Sequence, residues 1–304
     1  MFIVNHRKVF YTFSGILVLA SLSAIFLWGL RPGIDFTGGS LLEVTYASSS
    51  PVTTDIQNVV SSVGATDVSV RPSGDNDFII RSSQISNTQE VLAIAGLSFG
   101  GKYVVSEKEF DSVGPTLGAE ALQKSWISIV LVLAAIILFI TFAFRKVSKP
   151  VSSWKYGIIA VISLVHNILI PLGLFALLGH LMGIEVDTLF ITALLVIIGF
   201  SVHDNIVVFD RVRENLRRND EFKEKKDFDV IVGESINQTF VRSINTSLTM
   251  LFAILVLYLI GPAATQNFAL ALLVGITAGT YSSIFIGSPL LVTVYKRRLK
   301  KLAK

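Results

Sequence analysis

One aspartate stands where an aspartate is expensive. Asp204 lies inside the apolar run 188–209, flanked by His203 and Asn205. An ionisable group at membrane depth costs roughly 3 kcal/mol or more on insertion scales, and such a group marks a functional site by default. The chemistry open to a lone carboxyl there is proton binding and release. Desolvation favours its neutral form and a nearby cation its charged form. A helix bundle that rearranges around it therefore changes its protonation. The plainer alternative is a carboxylate that caps or snorkels at the inner surface, because only Ile206–Phe209 separate it from Asp210 and Arg211.

The cation that would answer Asp204 is Arg242, at the start of the following apolar run. Ser235, Gln238 or Thr239, Arg242, Asn245 or Thr246, and Thr249 recur at intervals of three and four. That spacing puts them on one helical face, which points into a bundle. The alternative for Arg242 is an ordinary topology-setting arginine. His203 points about 100° away from Asp204 on a helix and is expected as a satisfied interior histidine. Ser201 and Asn205 are supporting polar groups beside it. His166-Asn167 forms a second intramembrane polar pair, in which Asn167 supplies hydrogen bonds and no proton. Gly275, Gly279, Ser283 and Gly287 recur every four residues and are expected to serve close helix packing.

Several chemistries are excluded or unsupported. Cysteine is absent, which removes disulfides, thiolate catalysis and cysteine zinc sites. The four histidines are scattered, so no metal is expected. Phosphate-loop, GxSxG and HExxH motifs are missing, no serine–lysine or paired-aspartate protease constellation stands out, and neither enzyme activity nor a cofactor is expected. Any energy input would come from an ion gradient, which does about 2.3 kcal/mol of work per charge per 100 mV.

The elements that must hold these residues are membrane helices. Apolar residues make up 52% of the chain and charged ones 16%, the balance of a polytopic membrane protein. Six runs are long enough to span a bilayer: 9–30, 125–144, 156–182, 188–209, 244–260 and 268–295. Between the first two, residues 31–120 change character. Strand patterns at 41–47, 67–71, 77–81 and 102–107 alternate with helical patterns at 54–63 and about 86–97. The turn 72–76 joins the middle strands, and Ser86 to Glu90 resembles a capping box. The order β-α-β-β-α-β predicts a small α+β ferredoxin-like domain. Residues 210–229 are expected as a solvated amphipathic loop, and 296–304 as a basic tail against anionic lipid headgroups.

Lysine and arginine set the orientation. Arg7-Lys8, then Arg145, Lys146, Lys149 and Lys155, then the loop Arg211–Lys226 and the tail all fall on one side. The hairpins 183–187 and 261–267 carry none, and acids outnumber bases in 31–120. Both termini are thus expected in the cytoplasm and the folded domain outside. Basic residues that flank apolar segments are topology signals, so nucleic acid is not expected as a partner.

Several stretches resemble the SecD/SecF family of protein-translocase subunits, within the RND superfamily. Gly33-Ile34-Asp35-Phe36-Thr37-Gly38-Gly39-Ser40 is similar to the family's GIDFxGG signature, with Asp35, Gly38 and Gly39 matching. Val113-Gly114-Pro115-Thr116-Leu117-Gly118 is similar to its VGPxLG motif. Ser201–Asn215 resembles the fourth-helix motif of the SecF branch. Glu234–Thr239 and Arg242–Ser247 resemble the stretches that follow it. The resemblance implies a half bundle of six helices that pairs with SecD and assists the SecYEG channel. It implies use of the proton-motive force to draw an exported unfolded polypeptide outward across the cytoplasmic membrane. It also implies that Asp204 and Arg242 take part in proton conduction, with His203, Asn205, Ser201, Thr246, His166 and Asn167 around them. Two departures matter: His166-Asn167 stands where the family commonly has His-Asp, and His203-Asp204 where it commonly has Asn-Asp. The coupling ion stays open between proton and sodium. The alternative function is an RND-like exporter of small molecules or lipids, and a third is a non-transporting scaffold.

Overall fold

The computed structural model describes residues 1–47, 49–73, 76–143 and 151–302. Phe144, the basic cluster Arg145, Lys146 and Lys149, and the turn residues Gly74 and Asp75 lie outside them, as does the end of the tail. The chain divides into two compact units, Met1–Arg31 with Ile127–Lys304, and Pro32–Trp126.

The first unit is helical. A short helix α1 (Phe2–Asn5) precedes α2 (Arg7–Trp28). The helix α6 (Pro115–Ala143) enters the unit at residue 127, and α7 (Ser153–Met182), α8 (Thr188–Glu221) and α9 (Phe228–Ile260) follow. The last span is one continuous rod made of α10 (Ala263–Ser282), a π turn over Ser283–Gly287, and α11 (Ser288–Leu302). Six helices are long and apolar enough to cross a membrane. The protein is thus a multi-pass membrane protein.

The helices outrun their apolar patterns. Helix α8 continues to Glu221 through what the composition marks as a loop. Its exposed turns carry the pairs Asp210–Arg213 (3.1 Å), Arg211–Glu214 (2.9 Å) and Arg217–Glu221 (2.7 Å). Pairs at these spacings support a helix in water, where hydropathy is silent. The start of α8 is set by Asp187, whose carboxylate accepts from the Phe190 N–H at 2.7 Å. Packing between spans uses small residues. A Cβ on Gly173 of α7 would stand 2.4 Å from the Ser21 Cα of α2, so these two backbones touch.

The second unit holds α3 (Ile34–Thr37), β1 (Gly39–Tyr46), α4 (Thr53–Ser62), β2 (Ser69–Pro72), β3 (Asp77–Ser82), α5 (Asn87–Leu97) and β4 (Val105–Val113). The strands form one antiparallel sheet in the order β2-β3-β1-β4, which is the expected ferredoxin-like arrangement. Leu42, Val44, Tyr46, Phe78 and Ile80 face inward onto Ile56, Val60, Ala93 and Leu97. Ser86 and Gln89 close the capping box on α5. The last strand lies later than its pattern suggests, at 105–113 instead of 102–107. It is an edge strand rich in charge, and such an edge gives little apolar alternation to read.

A bulge opposite Glu43 and Val44 leaves Lys108 as the extra residue of β4. Its ammonium reaches Asp77 Oδ2 at 2.6 Å and Glu43 Oε1 at 3.7 Å. The hydrogen bond from Lys108 holds the Asp77 carboxyl below the usual range, and that same bond raises Lys108. Stability from Asp77 is present above the ordinary carboxylate value near 3.9 and is lost as pH falls through the folded value. Stability from Lys108 is present below about 10.4 and is lost as pH rises through its folded value. Lys108→Met is expected to flatten both limbs and to cost up to about 1 kcal/mol at neutral pH, the scale of an exposed pair. Protease susceptibility of this unit across pH reads it; an acid limb unchanged by the substitution would refute the pairing.

Candidate functional site

The membrane helices bury a column of polar side chains. Ser163, His166 and Asn167 come from α7, and Ser201, Asp204 and Asn205 from α8. Ser235, Thr239, Ser243 and Ser247 come from α9, and Thr280, Ser282, Ser283 and Ser288 from the last span. Asp204 is 4% exposed. It faces neither lipid nor the inner surface. Its Oδ2 accepts a hydrogen bond from the Ser283 hydroxyl. That contact decides against a merely snorkelling carboxylate, which would reach for water.

Around Asp204 the polar atoms are incompletely matched. Asn205 donates through Nδ2 to the Ser201 carbonyl at 3.0 Å, while its Oδ1 is buried without a partner. Ser163 Oγ, Asn167 Nδ2 and Ser201 Oγ share that condition. His166 Nδ1 lies 2.9 Å from Asn167 Oδ1, and His166 Nε2 is unmatched. The His166 ring stacks on Tyr281 with centroids 6.2 Å apart. Tyr281 in turn donates to the Phe10 carbonyl at 3.1 Å. The column therefore runs from α2, through His166, toward Asp204. Buried polar groups ordinarily find partners, and unmatched ones concentrate at working sites.

The glycines of the last span make this closeness possible. A Cβ on Gly279 would stand 2.6 Å from Ser201 Oγ and 3.6 Å from Asn167 Nδ2. One on Gly287 would stand 2.8 Å from Asn205 Oδ1 and 3.1 Å from Ser163 Oγ. One on Gly275 would stand 2.1 Å from the Ile197 side chain. The small-residue repeat is thus packing, as its spacing suggests, but it packs onto the polar column.

Two expected placements differ. Arg242 is exposed, and among the described residues no ion pair or hydrogen bond joins it to Asp204 or to any other group. The expected single polar stripe on α9 is in fact two. Ser235, Thr239, Ser243 and Ser247 face inward at a strict interval of four, while Gln238, Arg242, Asn245, Thr246 and Thr249 face outward. Thr280 Oγ1 donates to Ser247 Oγ at 2.6 Å across the inward row. Size explains the split: short hydroxyls satisfy themselves on their own helix, as Ser247 does on the Ser243 carbonyl at 2.8 Å, and let helices approach. His203 is likewise exposed and is not an interior histidine. Ser283 was legible only as a small residue; nothing in its spacing named it as a partner of Asp204.

In the second unit, the two glycine motifs, far apart in sequence, meet. Gly38 has φ +73°, and a Cβ there would stand 2.7 Å from Pro115 Cα. A Cβ on Gly118 would stand 2.9 Å from Gly38 N and from Phe36 O. Gly39, at φ +123°, lies against the Ser82 carbonyl. Gly114 precedes Pro115, which opens α6 at the first helical position. Asp35 sits in the first turn of α3.

Comparison with known proteins agrees with this architecture. The family described as protein export membrane protein SecD/SecF, C-terminal, matches residues 98–297, and the SecD/SecF GG motif matches residues 24–49. The protein translocase subunit SecF of Thermobaculum terrenum is 40% identical over 96% of this chain and 93% of its own. That of Anaerolinea thermophila is 39% identical over 95% and 92%. Among solved structures, SecDF of Thermus thermophilus, a translocon-associated membrane protein, superposes with a TM-score of 0.80 at 27% identity. The match covers 96% of this chain and 38% of the SecDF chain. On its glycine motifs, its six spans and its near full-length relatives, the chain belongs to the SecD/SecF family of protein-export membrane proteins.

Proposed function

We propose that this chain is the SecF-type half of a gradient-driven accessory to protein export, and that Asp204 is the group that binds and releases the coupling proton. The observation that carries it is a carboxyl 4% exposed within a membrane bundle, bonded to one hydroxyl and surrounded by unmatched polar atoms. A proton taken up by Asp204 removes a buried charge, which changes how tightly α8 and the last span can close. That is a route from ion flow to helix movement. The termini and the basic α8–α9 connection lie in the cytoplasm on this account, and the Pro32–Trp126 unit lies outside, where it meets an exported unfolded polypeptide near a SecYEG-type channel.

The other half is a SecD-type subunit. Arg242, Asn245, Thr246 and Thr249 on α9 and His203 on α8 face outward. Polar groups in a membrane span are costly against lipid and are met by another helix or by water. This face is therefore the seat of the partner, and Arg242 acts on the proton path from there. Absence of native cysteine makes the test direct. Thr249→Cys, oxidised in native membranes, is expected to cross-link to a co-purifying chain with SecD-type helices when that chain also carries a cysteine. A cross-link between copies of this chain, with no second subunit, would instead favour a self-assembled exporter.

A further inference from the structure

Along an α-helix, each step of four residues advances about 40° beyond a full turn. Gly275, Gly279, Ser283 and Gly287 would therefore wind off any neighbour by about 120°. They do not. Gly275 meets Ile197 and Gly279 meets Ser201, while Ser283 bonds Asp204 and Gly287 meets Asn205. All four partners lie on one side of α8. The π turn over Ser283–Gly287 is the reason. It inserts an extra residue, which sets the phase back by about 100°. Ser288 Oγ donates to the Ser283 carbonyl at 3.1 Å, five residues back, and fastens the widened turn.

We propose that Ser283 is a positioning residue for the Asp204 carboxyl and that the π turn exists to hold it there. The proposal rests on the reading of Asp204 as the proton-binding group. Ser283 has one hydroxyl hydrogen and two acceptors within reach, Asp204 Oδ2 and the Thr280 carbonyl at 3.0 Å. A charged carboxylate takes that hydrogen, because hydrogen bonds to ionised acceptors are the stronger ones. When the carboxyl gains a proton, the hydroxyl turns back to Thr280, the ordinary resting place of a helical serine. One proton thus moves the contact from between two helices to within one, at the irregular turn of the last span. Other titratable or cationic groups on the packed helices are His166 on α7, the outward His203 on α8 and the outward Arg242 on α9. None bonds Asp204 among the described residues.

Ser283→Ala, Ser283→Thr and Ser283→Cys in the full chain, in native lipid with its partner, test this. The first readout is the infrared band of the Asp204 carboxyl, identified as the one lost in Asp204→Asn. Ser283→Ala is expected to shift that band, Ser283→Thr to leave it in place, and Ser283→Cys, a weaker donor of similar size, to fall between. The second readout is gradient-dependent export, expected to fall about tenfold in Ser283→Ala, the scale of one lost bond to a charged group, and to recover in Ser283→Thr. A band and an export rate both unmoved by Ser283→Ala overturn the inference. Should Asp204→Asn itself export normally, the proton-binding reading falls, while the band still reports whether Ser283 orients the carboxyl.

Discussion

Asp204→Asn is expected to remove the whole gradient-dependent part of export, leaving the level of membranes that lack the chain. Asparagine has the size of aspartate, and its Oδ1 can still accept from Ser283. The bundle should therefore fold, insert and capture its partner as before. What asparagine lacks is the ability to gain and lose a proton. The loss would be specific to the gradient, because no packing term changes sign. Translocation into inner-membrane vesicles, with and without an imposed gradient, measures it. Export by Asp204→Asn that still rises with the gradient would end the proposal. Asp204→Glu is a useful companion, since it keeps the carboxyl but adds a methylene to a filled site, a change that typically costs 1–3 kcal/mol.

Gly118→Val is expected to unfold the Pro32–Trp126 unit in most molecules. A Cβ at 118 would stand 2.9 Å from Gly38 N and from Phe36 O, and 3.0 Å from Phe36 C. These are backbone atoms on α3 and the strand start behind it, and they cannot swing aside as a side chain can. Overpacking of this kind costs 1–3 kcal/mol and occasionally more, and two γ-methyls add to it. Gly38→Ala should come close, since it joins a clash at 2.7 Å with Pro115 Cα to a left-handed backbone, worth about 1–2 kcal/mol by itself. Domains have only about 5–15 kcal/mol to lose. Gly100→Ala is the control: its φ is +70°, yet a Cβ there meets nothing within 4 Å, so only the backbone term applies. Pulse proteolysis of the full chain ranks the three. A Gly118→Val chain as resistant as Gly100→Ala would show that the two glycine motifs do not lock together.

Linear patterns carried the architecture because each depends on neighbours in the chain. An apolar run announces a span whatever surrounds it, and alternation at 41–47 names the inward face of β1 before any partner strand is known. The cost of a buried carboxylate likewise singles out Asp204 from one chain alone. Helix ends were less legible. The α8 extension to Glu221 is stabilised by ion pairs in water, to which hydropathy is blind. Three matters depended on tertiary structure. Whether Arg242 faces inward is set by which side of α9 its neighbours occupy, and Ser235, Thr239, Ser243 and Ser247 took that side. Gly38 and Gly118 were two separate motifs until folding laid one backbone on the other. Ser283 became the partner of Asp204 only because a π turn rotated it there, and the phase of a helix about its own axis is fixed by packing between helices, which no spacing in the chain records.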